Sequence, residues 1–77
     1  MGNYRTMQEI IGINIRRLRI AHGETQSELG EVIGYGGTTV ANYESGYRMP
    51  SLETFIQIAQ HYDATLEDFL KEEVHES

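Results

Sequence analysis

Thr25-Gln26-Ser27-Glu28-Leu29-Gly30-Glu31-Val32-Ile33-Gly34-Tyr35-Gly36-Gly37-Thr38-Thr39-Val40-Ala41-Asn42-Tyr43-Glu44-Ser45-Gly46 decides the fold. It reads as a short capped helix, a glycine-rich turn and a second short helix stopped by glycine. Thr25 and Glu28 form a T-x-x-E capping box, in which each side chain satisfies an orphan amide of the other. The first helix of the unit is then expected at about 26–33, with Leu29, Val32 and Ile33 turned inward and Gly34 as its stop. Gly30 sits mid-helix, where a missing side chain marks the close approach of another backbone, the following helix being the obvious candidate. The second helix is expected at about 37–45, ended by Gly46. At 100° per residue, Gly37, Val40, Tyr43 and Glu44 share one face. Thr38, Ala41, Asn42 and Ser45 share the opposite one, with Thr39 on its edge. That outward face is short, polar and uncharged, a poor solubilising surface but one suited to entering a groove. Helices this short are marginal alone in water, so the rest of the chain must supply the apolar surface that holds them.

Upstream, apolar residues at 7, 10, 11, 15 and 18 fall at helical spacing, with Ile13 and Ile20 flanking and Arg16, Arg17 and Arg19 between. A helix is expected over about 7–22, closed by Gly23. Gly12 within it costs about 1 kcal/mol against alanine. Downstream, Tyr47-Arg48-Met49-Pro50 reads as a loop. Ser51 caps a fourth helix at about 52–61, with Leu52, Phe55, Ile56, Ile58 and Ala59 as its apolar stripe. Asp63 turns the chain, since Asp tolerates left-handed backbone. Thr65 and Asp68 open a fifth helix at about 66–72, with Leu66, Phe69 and Leu70 directed to the core. The expected domain layout is a flexible N-terminal arm at 1–6, a helical domain at 7–72 and an acidic, disordered tail at 73–77. Nothing alternates like a strand, and the fold class is all-α.

Composition narrows the chemistry. Seventy-seven residues make one small domain, and the absence of cysteine removes disulfides and thiolate metal sites. His22, His61 and His75 are far apart in sequence with no carboxylate at ligand spacing, so neither a metal nor a cofactor is expected. No apolar run approaches the about 18 residues of a membrane span, and no signal-peptide core is visible, so a cytoplasmic protein is expected. An enzyme needs a nucleophile with its base, a metal cluster or paired carboxylates in a pocket. The nearest candidates, Ser27-Glu28 and Asp68-Glu72, are accounted for by capping and helix solvation. The net charge of −6 argues against nucleic acid until its distribution is read. Residues 1–50 hold five arginines and five glutamates, whereas residues 51–77 hold seven acids against Lys71. A domain so polarised can turn a neutral-to-basic face to DNA and keep its acid behind.

These residues together resemble the phage-repressor/Cro-like (XRE-type) helix-turn-helix family, over about residues 10–70. The resemblance rests on Gln26, the spacing Gly30–Gly34–Val40, Glu44-Ser45-Gly46, Pro50-Ser51-Leu52-Glu53-Thr54 and Thr65-Leu66-Glu67-Asp68-Phe69-Leu70. It implies a five-helix, lambda-repressor-like DNA-binding domain. The third helix would lie in the major groove of double-stranded DNA and the second across the backbone, in a homodimer on half-sites about one helical turn apart. It assigns base reading to Thr38, Thr39 and Asn42: Asn pairs with adenine, and threonine offers a hydroxyl and a methyl to thymine. Backbone contacts fall to Thr25, Gln26, Gly36, Gly37, Tyr47 and Arg48, Gln26 being either a phosphate contact or a second capping residue. Arg19 and Glu44 match a structural buried ion pair. The fifth helix and the tail (Phe69, Leu70, Val74) are the expected dimer contact. The chain departs from the family at Gly36-Gly37, where a long polar residue is common. Either the backbone amides approach phosphate unusually closely, or sequence readout rests on Thr38, Thr39 and Asn42 alone. With no lysine before Lys71, about three to five phosphate contacts per monomer are expected, with a modest affinity that falls steeply with salt. A module of the same fold that binds a protein through its acidic last third, such as an antitoxin or antirepressor, is the alternative.

Overall fold

Four of the five helices begin on a hydroxyl side chain that accepts from a first-turn amide: Thr6, Thr25, Ser51 and Thr65. The computed structural model describes residues 5–72, with α1 at Met7–Ala21, α2 at Gln26–Val32, α3 at Gly37–Glu44, α4 at Leu52–His61 and α5 at Leu66–Leu70. The expected all-α, five-helix architecture is found, and no strand occurs among the described residues. The helices end through Gly23, Gly34, Gly46 and Asp63, all at positive φ, Asp63 at 53°. Of these, Asp63 is the strained one, because every side chain but glycine's is crowded there.

The core is one cluster drawn from every helix. Ile11 and Ile15 of α1, Leu29 of α2 with its cap Ile33, Val40 and Tyr43 of α3, Phe55, Ile58 and Ala59 of α4, and Phe69 of α5 are buried together with Tyr62. Phe55 and Phe69 meet edge to face, centroids 5.3 Å apart, which seats α5 against α4.

Several expectations are corrected. Thr6 is no part of a loose arm: its hydroxyl accepts from Glu9 N at 3.1 Å while its own amide donates to Glu9 Oε1 at 2.8 Å. Thr6-Met7-Gln8-Glu9 is the T-x-x-E signature also found at α2, and it fixes the start of α1. Val32, Leu52, Ile56, Leu66 and Leu70 are exposed rather than buried, Leu52 by 68%. The helices are too short for two rows of apolar residues each to reach the same small core. The fifth helix stops at Leu70 instead of 72, because buried Asn14 reaches over from α1 and donates to the carbonyls of Phe69 (2.9 Å) and Lys71 (3.0 Å). Carbonyls held this way need no further helical turn to satisfy them. Residues 1–4 of the expected arm and the expected 73–77 tail, with His75 and Val74, lie outside the described residues.

Gly12, read from sequence as a simple cost, is a contact point. A Cβ there would stand 2.2 Å from the Tyr43 carbonyl oxygen and 2.8 Å from that of Glu44, so α1 and α3 touch backbone to backbone.

Candidate nucleic-acid interface

Glycine sets how α2 and α3 cross. A Cβ on Gly30 would stand 2.6 Å from the carbonyl carbon of Gly36, so the expected close approach is found, at the cap of α3 rather than along its body. The chain turns at Gly34, and Tyr35 N donates back to Gly30 O at 2.8 Å. Gly37 has a steric reason as well: a Cβ there would meet Ser27 Oγ at 2.9 Å and Ser27 N at 3.2 Å. The first turns of the two helices are therefore stacked, and only one of the paired glycines is forced. Gly36 has open space around it and extended backbone (φ −111°). No side chain caps α3, so its first amides are left unbonded by any capping side chain.

The buried faces come out as expected, with Val40 fully buried and Tyr43 nearly so. On the other side Thr38 is exposed, and Thr39 and Asn42 are half-buried. Among the described residues, none of these three side chains hydrogen-bonds to protein, so their donors and acceptors are available to a ligand. The backbone carbonyl of Asn42 is heavily used. It accepts from Ser45 Oγ (3.1 Å), Tyr47 N (2.9 Å) and Arg48 N (3.1 Å), tying the following loop to the end of α3. Tyr47 is 77% exposed and Arg48 exposed beside it, so both sit next to the outward face that carries Asn42.

Arg19 and Glu44 form the expected ion pair. Arg19 Nε donates to Glu44 Oε2 at 2.6 Å and Nη2 to Oε1 at 3.2 Å, a forked contact joining α1 to α3. Glu44's hydrogen bond, strengthened by its charge, raises the Arg19 guanidinium pKa above its ordinary value despite burial. Gln26 takes a part that sequence reasoning does not weigh. Its Nε2 donates to Glu44 Oε1 at 3.0 Å, so it joins the pair and does not cap its own helix.

A second polar cluster has no signature along the chain. Glu24, in the α1–α2 loop, accepts from Arg19 Nη1 on its backbone carbonyl at 2.6 Å. Its carboxylate takes the Tyr62 hydroxyl at 2.7 Å and stands 2.6 Å from His61 Nε2. Burial alone would raise the Glu24 pKa; the Tyr62 and His61 hydrogen bonds outweigh it and hold the carboxyl below its ordinary value. Burial, with the same hydrogen bond, pushes the Tyr62 phenol well up. His61 thus has a carboxylate partner, 37 residues away in sequence, where spacing along the chain could not show it. Among the described residues no group of His, Cys, Asp or Glu could hold a metal ion, and no helix is long and apolar enough to cross a membrane.

A short capped helix, a glycine-mediated crossing and a second helix with an open polar face make a helix-turn-helix. The family model for helix-turn-helix matches residues 15–69. The chain belongs to the XRE-type helix-turn-helix family of transcriptional regulators. It is 42% identical over 43 residues to the HTH-type transcriptional regulator AnsR of Bacillus subtilis (strain 168), covering 56% of this chain and 37% of that protein. It thus spans well under half of that relative. YgzD of the same organism, an uncharacterized HTH-type transcriptional regulator, is 36% identical over 61 residues, covering 77% of this chain and 92% of YgzD. Among solved structures, the restriction-modification controller protein C.AhdI of Aeromonas hydrophila superposes with a TM-score of 0.73 at 27% identity, over 80% of this chain and 94% of that one.

Proposed function

We propose that the chain is a sequence-specific DNA-binding regulator, a repressor acting as a homodimer on a palindromic operator, with α3 in the major groove and α2 across the backbone. The observation that carries this reading is the outward face of α3, where Thr38, Thr39 and Asn42 keep their hydrogen-bonding groups free of protein partners. A polar face left without partners at the centre of a helix-turn-helix suits the donor and acceptor edges of base pairs. The phosphate contacts would come from the α3 amides at Gly36 and Gly37, the start of α2 at Thr25 and Gln26, and the Tyr47-Arg48 loop. Of the residues expected at a dimer contact, Phe69 is fully buried in the core and drops out; Leu70, exposed with Leu66 on the same side of α5, supports a second copy of the chain as the partner. A DNA-facing surface on these residues is in keeping with the net acidic excess lying in residues 51–77, away from the helix-turn-helix in sequence.

Titration of the chain on a library of palindromic duplexes, in about 50 mM and then about 200 mM salt, tests the reading. Salt-dependent binding of modest affinity to a subset of sequences is expected, with Asn42→Ala and Thr38→Ala relaxing the preference. Salt-independent behaviour, or binding to no duplex at all, overturns it.

A further inference from the structure

Five residues drawn from different parts of the chain are linked in one run of hydrogen bonds, which passes through the main chain at Glu24 and through side chains elsewhere. Tyr62, at the end of α4, donates to the Glu24 carboxylate (2.7 Å); the Glu24 carbonyl accepts from Arg19 (2.6 Å). Arg19 grips Glu44 with two nitrogens, and Glu44 Oε1 accepts from Gln26 Nε2 (3.0 Å). The last of these residues is the first of α2, at the surface assigned above to the DNA backbone. The Glu44 side chain is only 4% exposed, so its carboxylate cannot turn to water to find other partners.

The chemistry of the last link is directional. A primary amide can present either its oxygen or its nitrogen outward, and a phosphate, which only accepts, is served by the nitrogen alone. A carboxylate also only accepts, so Glu44 selects the nitrogen end of Gln26. One N–H is then spent on Glu44, and the second remains for another acceptor. An amide held by nothing would sample both orientations and lose rotamer entropy on binding.

We propose that Glu44 is a positioning residue for the amide of Gln26 toward DNA phosphate, and that Tyr62 and Glu24 steady that arrangement from behind through Arg19. The ion pair read from sequence as purely structural thereby acts on the binding surface as well. The inference rests on the DNA-binding reading above, and its test keeps the two apart.

The test uses the full chain and a random-sequence duplex of about 20 base pairs at about 50 mM salt, a probe that reports backbone contacts. Glu44→Gln and Tyr62→Phe are each measured in the native background and with Gln26→Ala. In the native background Glu44→Gln should weaken binding about tenfold and Tyr62→Phe about threefold, the range expected when one ordered side chain is released. With Gln26→Ala present, both effects should vanish. Because neither Gln26 nor Tyr62 carries a charge, the slope of affinity against salt should not change in Gln26→Ala or Tyr62→Phe. Equal weakening in both backgrounds means that the residues only support the fold, and overturns the proposal; so does no weakening in either. The side-chain amide resonance of Gln26 gives a second readout without DNA. It should move in Tyr62→Phe, a change that removes one hydroxyl and carries the test even where Glu44→Gln fails to fold. An unmoved resonance overturns the relay. Failure of the native chain to bind any duplex overturns the DNA-binding reading instead, and the resonance still decides whether Glu44 holds the amide.

Discussion

The starts of α2 and α3 lie against each other and are built in opposite ways. At α2, Thr25 and Glu28 exchange hydrogen bonds at 3.0 and 2.8 Å, Glu24 just before them is held by Tyr62 and Arg19, and Gln26 is tied to Glu44. At α3, Gly36 and Gly37 offer no side chain at all. The first is specified by hydrogen bonds; the second is specified by what cannot fit. The stacked contacts of Gly30 on Gly36 and Gly37 on Ser27 mean that the well-specified start holds the bare one in place. A helix whose first amides are left open, but whose position is imposed by its neighbour, can meet an anionic surface without first surrendering a cap of its own.

That contrast can be broken most severely at the lock behind both helices. Arg19→Ala leaves the Glu44 carboxylate buried without its cation, and a loss of about 3–5 kcal/mol is expected in chemical denaturation. Gln26 alone cannot compensate, because its N–H donors are neutral. A loss below about 1 kcal/mol would show that the pair is dispensable and that packing alone holds α3.

Next come the glycines at the crossings. Gly30→Ala drives a methyl into the Gly36 backbone and Gly12→Ala one into the Tyr43 carbonyl, neither of which is the end of a flexible side chain. Each should cost at least about 1–3 kcal/mol, the usual cost of overpacking, against the gain that alanine brings to an ordinary helix position. Circular dichroism melts of the two variants check this, and a raised melting temperature in either contradicts the close approach. Gly37→Ala meets a serine hydroxyl and should cost less.

The caps themselves give a smaller, paired test. Thr25→Ala should destabilise by about 1 kcal/mol, since it removes one half of a reciprocal box. Gly36→Ser should stabilise by only a few tenths of a kcal/mol, because glycine is already a fair cap and position 36 has room for the hydroxyl. If Gly36→Ser gains as much as Thr25→Ala loses, the start of α3 was limited by its missing cap and not set by its neighbour.

The smallest effect is in pH. The folded Glu24 carboxyl lies below its ordinary 4.5, so the unfolded chain takes up the proton first on acidification. Its contribution to stability is complete above that ordinary value and drains away as pH falls through the folded one. Tyr62→Phe removes one of the two hydrogen bonds that lower it, so the acid limb of the stability curve should become shallower there while neutral stability falls modestly. An acid limb unchanged by Tyr62→Phe would remove Glu24 from the support of α2.

Much of this is legible along the chain because it is local. Capping boxes act over three residues, glycine stops over one, and the alternation of Val40–Tyr43 with Thr38–Asn42 is a property of 100° per residue. The spacing of Gly30, Gly34 and Val40 likewise marks the crossing from the order of residues alone. What escapes is non-local or marginal. Thr6 is no such case, since Thr6-Met7-Gln8-Glu9 carries the same T-x-x-E signature as Thr25 to Glu28 and marks the start of α1 just as locally. Glu24 with His61 and Tyr62, Asn14 with the end of α5, and Gln26 with Glu44 join residues 18 to 57 positions apart, and nothing in the order of residues announces such pairs. The inward reading of Val32, Leu52, Ile56, Leu66 and Leu70 fails because periodicity tells which residues share a face and not how much core is available to cover it.

The sequence by itself determined five helices, their starts, the stops of all but the last, the family and the outward placement of Thr38, Thr39 and Asn42, since all of these follow from backbone preferences and short-range spacing. Only the tertiary structure decided how α2 and α3 meet. Gly37 is glycine because Ser27 stands beneath it, Gly36 is under no such constraint, and Gly12 is the place where α3 rests on α1. These are questions of volume between distant segments, and volume is settled when the helices pack.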